Sequence, residues 1–230
     1  MHTRYYTFLL LKLVIMKGLF ISGSGTDVGK TFIAQHLIHL LTQSKLVSVR
    51  KPVESDCRLV DDGLVTKDAL KLLAASNVAD DIDTVCPYKF LQCSSAESAS
   101  QAENVKLSLE QLVDACASNT FVVVEGAGGL LSPMAEDTLN IDLAKSLALP
   151  LVIVVKDGLG AINQALLTIK VARQYQLEIS CVILNQFESN TLDNASAIRH
   201  YGQCQVVLYG QALSAQFDQQ MSEILDLDRP

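Results

Sequence analysis

No cluster of lysine and arginine stands out in this 230-residue chain, and its formal net charge is −7. That balance argues against a nucleic-acid surface. None of the six cysteines, Cys57, Cys86, Cys93, Cys116, Cys181 and Cys204, forms a C-x-x-C pair, and no histidine-rich cluster accompanies them. This disfavours a zinc site or a disulfide framework and favours buried thiols in a reducing, cytoplasmic compartment. The four histidines, His2, His36, His39 and His200, show no metal-ligand spacing. His36 and His39 fall three apart on one helix face, which reads as helix surface or partial burial. No apolar stretch reaches the roughly 20 residues of a membrane helix. No internal repeat or linker is visible. Hydrophobic residues nevertheless make up 49% of the chain, enough for a substantial core and far from a disordered composition.

Residues 1–16 are apolar from Phe8 to Met16 except for Lys12. The run is too short to span a bilayer and lacks a small-residue cleavage site before the glycines that follow. It reads as a dispensable N-terminal extension or the product of an upstream, non-native start codon, with an extra edge strand as the alternative, and Met16-Lys17-Gly18 as the natural start of a single domain over 17–230.

The informative stretch is KGLFISGSGTDVGKT, Lys17 to Thr31. Leu19-Phe20-Ile21 reads as a buried strand. Ser22 to Gly29 is too rich in glycine and small polar residues to continue it. Phe32, Ile33, Leu37, Leu40 and Leu41 then recur with helical spacing. Strand, glycine loop, Lys-Thr and helix form the context of a phosphate-binding loop. Free N–H groups at a helix start carry partial positive charge, and glycines let the backbone curl around an anion. Lys30 would reach the terminal phosphates and Thr31 would sit on Mg²⁺. The strict pattern places glycine where this chain has Ser24, with Gly23 and Gly25 on either side.

The helix is expected to run to about residue 42, and residues 45–53 to hold a second strand ending at Lys51-Pro52. Lys51 is either solvated surface or a ligand group at a strand's carboxyl end. Residues 54–63 read as a loop. Thr66 is the expected N-cap of a helix in which Asp68 is either a dipole-favoured first-turn acid or an acid facing a metal-bound nucleotide. Residues 80–102 show no dominant period and read as an irregular covering loop. A helix is expected over 107–117. Phe121 to Glu125 forms a β-branched strand ending in an acid beside Gly126-Ala127-Gly128-Gly129, where a carboxylate can hold Mg²⁺. Further strands are expected at 151–155, 179–184 and 206–208, and helices at 141–147, 161–175 and 214–227. Asn185, at a strand's end, either reads a base edge or forms a turn. Strands alternating with helices, and near-continuous Val/Ile/Leu runs, predict an α/β fold: a doubly wound, mainly parallel sheet with helices on both faces.

GSGTDVGKT, KPVES, TKDALKL, CPYKF and VVVEGAGG occur in an order and spacing that resembles the dethiobiotin synthetases, over about residues 17–186. The resemblance implies a P-loop NTPase-like fold with a seven-stranded sheet, and a cytoplasmic homodimer with substrate near the subunit interface. It implies an ATP- and Mg²⁺-dependent cyclo-ligase that joins CO₂ to 7,8-diaminopelargonic acid through a carbamate and a carbamic-phosphoric anhydride. On that resemblance Lys30 and Lys51 are catalytic, and Thr31, Asp68 and Glu125 surround the metal. Thr26 and Ser55 contact substrate, with Asp27 nearby. Asp27, Val28, Gly29, Lys30, Thr31, Phe32, Asp68, Glu125, Gly126, Ala127, Gly128, Asn185 and Gln186 form the nucleotide site, with Asn185 facing adenine. The chain departs from the family pattern at Gly25, at Glu54 and Asp56 around Ser55, at Ser95-Ala96-Glu97, and at 207–213, where a proline is absent. Two other classes share the loop. A partitioning-type ATPase switch carries an extra early lysine, absent from Ser22-Gly23-Ser24. A glutamine-fed amidoligase needs a glutaminase domain for which 230 residues leave no room, so a separate subunit would have to supply it.

Overall fold

The computed structural model describes residues 16–61, 63–188 and 190–226. The central sheet contains β1 (Gly18–Gly23), β2 (Val47–Arg50), β3 (Phe121–Gly129), β4 (Leu151–Lys156), β5 (Ile179–Asn185) and β6 (Val206–Tyr209). Their spatial order is β6-β5-β4-β1-β3-β2, and every neighbouring pair is parallel. Helices are α1 (Lys30–Leu41), α2 (Asp68–Ala75), α3 (Ile82–Val85), α4 (Ala96–Ala102), α5 (Leu109–Asp114), α6 (Asn140–Leu147), α7 (Ala161–Gln174), α8 (Asn194–Gly202) and α9 (Ser214–Ile224). A strand covered on both faces must be apolar at every position. Phe20, Val122, Val124, Ile153 and Leu184 point into the core shared with α4 to α8. Leu19, Ile21, Val123, Val152, Val154 and Ile183 point into the core shared with α1, α2 and α9. Each large aliphatic side chain so buried contributes about 1.5–3 kcal/mol.

The chain leaves β1 toward one edge of the sheet and leaves β4 toward the other. The order therefore reverses beside β1, where a crevice opens at the strands' carboxyl ends. Glu125 pairs in register with Ile21, and Asn185 with both Lys156 and Tyr209, so all lie at that end.

Six strands stand in this sheet among the described residues, against the seven implied by resemblance. Residues 1–15, which include most of the expected extension, lie outside the described part. The second strand ends at Arg50, not residue 53: Pro52 has no N–H for the ladder, and Val53–Glu54 pairs separately with Tyr88–Lys89. Within the expected loop at 54–63 lies one arm of a hairpin, Arg58–Val60 with Gly63–Val65. Residues 80–102 hold α3 and α4 rather than irregular chain. Helix α4 buries only Ala96, Ala99 and Ser100, too small a stripe to show a hydrophobic period. Ser95 caps it, accepting from the Ser98 N–H. Thr66 caps nothing: its buried hydroxyl has no partner.

Candidate active site

The loop after β1 turns sharply at two left-handed positions, Asp27 (φ 58°) and Gly29 (φ 87°). Gly29 is the N-cap of α1. A methyl group at this glycine would stand 2.1 Å from Asn185 Nδ2, so only glycine fits. Thr26 and Asp27 are exposed at the lip, while Val28 is buried. Lys30 curls back to donate to the Gly25 carbonyl at 2.9 Å. Burial first, and the nearby Lys51 charge second, push the Lys30 pKa down to about 8. An ammonium held in that state gains strongly from an arriving anion.

Lys51 stands beneath the loop, buried, 2.7 Å from Glu125 Oε1 and 3.1 Å from the Gly126 carbonyl. Asp68 Oδ2 lies 3.9 Å from the same ammonium. Burial works against the Lys51 charge, but Glu125, Asp68 and Glu54 outweigh it and hold the pKa above the ordinary lysine value. The Thr31 hydroxyl donates to Glu125 Oε1 at 3.0 Å. Glu125 Oε2 is buried without a hydrogen-bond partner. Thr31, Asp68 and Glu125 thus offer oxygen donors only, one of them unsatisfied, which suits a hard divalent cation.

Strand β3 continues through Gly126, Ala127 and Gly128, where the sequence suggested it would stop. Gly126 must lack a side chain because a methyl there would meet Asn140 Oδ1 at 2.4 Å. Gly128 (φ 66°) turns the chain toward Ser132. Beside the loop a cavity of about 310 Å³ is lined by Thr26, Leu130, Leu131, Ser132, Leu167 and Val171.

At the far end, Asn185 Nδ2 donates to the Val28 carbonyl at 3.0 Å, tying β5 to the loop. Gln186 turns aside and donates to Asp157. Phe32 is half exposed and meets Tyr209 edge-on with ring centroids 5.3 Å apart. Ser55 is also turned aside: its hydroxyl donates to the Ser94 carbonyl at 2.8 Å. The structure therefore brings Lys30, Thr31, Lys51, Asp68, Glu125 and Gly126 together, sets Asn185 against Val28 and Gly29, and engages Ser55 and Gln186 elsewhere.

Three participants escaped the sequence reading. Phe187, half exposed, brings its ring tip to 3.1 Å from a methyl placed at Gly29, with Lys156 Nζ 5.3 Å from the ring centroid. An aromatic two residues past a strand-end asparagine was the available signal. Asp157 is buried and accepts from Gln186, Asn190 and Asn194 at 3.2, 3.1 and 2.7 Å. Its position just past β4 was visible, but its partners were not. Glu54 is the third, buried on the short strand Val53–Glu54.

A parallel sheet whose first strand runs into a glycine cradle, with lysine and threonine opening the next helix, defines a P-loop nucleotide-binding protein. A family model described as an AAA domain matches residues 17–210. The ATP-dependent dethiobiotin synthetase of Vesicomyosocius okutanii subsp. Calyptogena okutanii (strain HA) is 55% identical over 213 residues, 93% of this chain and 99% of that protein. That of Ruthia magnifica subsp. Calyptogena magnifica is 53% identical over 210 residues, 91% and 99% respectively. The chain belongs to the dethiobiotin synthetase family. Among solved structures, a putative plasmid partition protein from Borrelia burgdorferi B31 bound to AMPPNP aligns with TM-score 0.55 at 12% identity, covering 93% of this chain and 98% of that one. A ParA family ATPase from Chlorobium tepidum TLS gives 0.53 at 17%, covering 92% of each. At such identities these neighbours share the fold alone, and they do not favour the partitioning-type alternative.

Proposed function

We propose that this protein is a cytoplasmic ATP-dependent cyclo-ligase, with residues 17–230 as one catalytic unit, forming dethiobiotin from 7,8-diaminopelargonic acid, CO₂ and ATP. The observation that carries the reading is the buried cation Lys51 held against Glu125 and Gly126, next to the cradle that ends in Lys30. Every stage of this reaction gathers negative charge at one place, so fixed cations and N–H dipoles are the main catalytic means.

One amine of the diamine adds to CO₂ and loses a proton, giving a carbamate. Lys51 stabilises that anion. A carbamate oxygen then attacks the γ-phosphorus, ADP leaves, and a carbamic-phosphoric anhydride remains. Lys30 and the loop N–H groups neutralise the charge that develops on the phosphoryl oxygens. The second amine attacks the anhydride carbonyl, phosphate departs, and the five-membered urea closes. Held by Thr31, Asp68 and Glu125, Mg²⁺ would supply further positive charge to the phosphate oxygens. Asn185, already fixed to the loop, keeps its Oδ1 as an acceptor for the adenine amino group, with Gln186 beside it. The apolar side of the cavity at Leu130, Leu131 and Val171 suits the aliphatic chain of the diamine, with Thr26 at its polar end; Ser55 would reach the diamine only by leaving the Ser94 carbonyl. Exposed Leu131, Leu159 and Leu167 would be covered in a homodimer.

The test is direct. Purified protein supplied with ATP, Mg²⁺, bicarbonate and the diamine should yield dethiobiotin, ADP and phosphate in equal amounts. ATP turnover indifferent to the diamine would overturn the assignment. Lys51→Ala should abolish product while ADP still binds; a fully active variant would remove Lys51 from the mechanism.

A further inference from the structure

Helix α2 starts at Asp68, one of the acids of the site, yet it lacks a cap of its own: its N-cap residue is Lys67, which makes no side-chain capping bond. The first N–H groups of a helix have no partner within it and need an acceptor from elsewhere. Glu54 supplies one from a separate segment. Its Oε1 accepts from the N–H groups of Lys67 at 2.5 Å and Asp68 at 2.9 Å, and its Oε2 accepts from Ala69 at 2.9 Å. Glu54 is only 5% exposed. A carboxylate at this place meets the positive end of the helix dipole as well as three donors. It lies three residues after Lys51, on the short strand Val53–Glu54 that pairs with Tyr88–Lys89.

Asp68 is the first residue of α2, and its carboxylate lies 3.9 Å from Lys51 Nζ. Its side chain is over a third exposed, so no packing of its own fixes it. Any tilt of the helix start moves the carboxylate relative to Lys51. Lys67, one residue before, pairs with Asp56, which holds the same turn from the outside. Thr66, the residue that would ordinarily cap this helix, leaves its hydroxyl unpartnered.

We propose that Glu54 is a positioning residue: by clamping the N–H groups of the N-cap Lys67 and of the first two residues of α2 it fixes the Asp68 carboxylate opposite Lys51 for use by the metal-bound nucleotide. This rests on the reading of Asp68 as a metal-facing acid given above. It also accounts for a charged residue standing beside Ser55, where the family resemblance leads one to expect a small one.

The experiment uses the full chain and two readouts. Residue-resolved amide hydrogen exchange reports the clamp. Glu54→Ala should speed exchange at Lys67, Asp68 and Ala69 at least tenfold and leave the α1 amides unchanged. Glu54→Gln, whose amide oxygen still accepts, should fall between the two and covers the case in which the alanine variant does not fold. The second readout is the Mg²⁺ concentration that half-saturates dethiobiotin formation. Glu54→Ala should raise it about tenfold with kcat at saturating Mg²⁺ changed less, Asp68→Asn should raise it at least as much, and the double variant should exceed Asp68→Asn by less than twofold. Unchanged exchange at residues 67–69, an unchanged Mg²⁺ requirement in both Glu54 variants, or full additivity in the double variant would each overturn the proposal. A normal Mg²⁺ requirement in Asp68→Asn, with exchange still accelerated by Glu54→Ala, would instead overturn the reading of Asp68 beneath it.

Discussion

Replacing Lys51 by methionine removes one charge and keeps most of the side chain's length. In the folded protein the ammonium is 2.7 Å from Glu125 Oε1, with both side chains buried. After the change, Glu125 keeps the Thr31 hydroxyl on Oε1, while Oε2 has no partner to begin with. Breaking a buried pair by removing one partner costs about 3–5 kcal/mol. The stranded carboxylate can escape by taking up a proton. A glutamate in water titrates at about 4.3, and each pH unit above that costs about 1.36 kcal/mol, so protonation costs about 4.4 kcal/mol at pH 7.5 and about 1.6 at pH 5.5. The cheaper route sets the loss: about 3–4 kcal/mol at pH 7.5, falling to about 1.6 at pH 5.5. The direction follows from linkage. In the variant the folded carboxyl titrates higher than in the unfolded chain, so the penalty is present at high pH and is relieved as pH falls toward the unfolded value. For a chain of this size 1 kcal/mol is about 2–4 °C in Tm. The nucleotide-free variant should therefore melt about 6–16 °C below wild type at pH 7.5, and about 3–6 °C below at pH 5.5. Adding Glu125→Gln should recover most of the loss at pH 7.5, because both charges are then gone. Thermal unfolding followed by circular dichroism at the two pH values is sufficient. A deficit independent of pH, or none at all, would show that Lys51 and Glu125 are not coupled as described.

The Lys30 pKa of about 8 makes nucleotide binding take up protons. At pH 8.5 most of the side chain is neutral before ADP arrives and charged afterwards, so calorimetry in buffers of different ionisation enthalpy should read about 0.5–0.8 proton absorbed. At pH 6.5 this uptake should vanish; equal uptake at both pH values would exclude Lys30 as its source. Gly29→Ala, with its methyl 2.1 Å from Asn185 Nδ2 at a φ of 87°, should cost at least about 2 kcal/mol in ADP affinity, and titration calorimetry showing wild-type affinity would refute the close fit. Phe187→Ala should weaken ADP about tenfold or more through lost base stacking, worth about 1–3 kcal/mol, while leaving inorganic triphosphate binding unchanged. Equal weakening of both ligands would mean the ring serves the loop rather than the base. Chelating divalent cations should stop dethiobiotin formation, with added Mg²⁺ restoring it; persistence in chelator would remove the metal from Thr31, Asp68 and Glu125.

The sheet and the cradle were legible because their signals are local. Strands such as Leu151–Lys156 are apolar at every position, and Gly29-Lys30-Thr31 sits between a strand and a helix. Lys51 and Glu125 were legible as strand-end charges, but their 2.7 Å contact joins residues 74 apart and depends on which strands are neighbours. Helix α4 was missed because alanine and serine bury too little area to mark a face. The usual capping preference puts the cap of α2 at Thr66, and the structure gives that task to Glu54, a dozen residues earlier. Capping by a distant side chain leaves no periodic trace. Ser55 was expected to turn toward substrate, yet its hydroxyl is engaged by Ser94, a contact set by the neighbouring Val53–Glu54 and Tyr88–Lys89 pairing.

The amide knot around Asp157 bears on how this protein would age. Asn190 and Asn194 each point an NH₂ group at that carboxylate, and spontaneous deamidation of either would turn a donor into a second anion at the same spot. At 3.1 Å and an effective dielectric constant of about 20, two such charges repel by about 5 kcal/mol. Storage damage there would pull Gln186 off its anchor and loosen the proposed adenine end of the cleft while the rest of the molecule stayed folded.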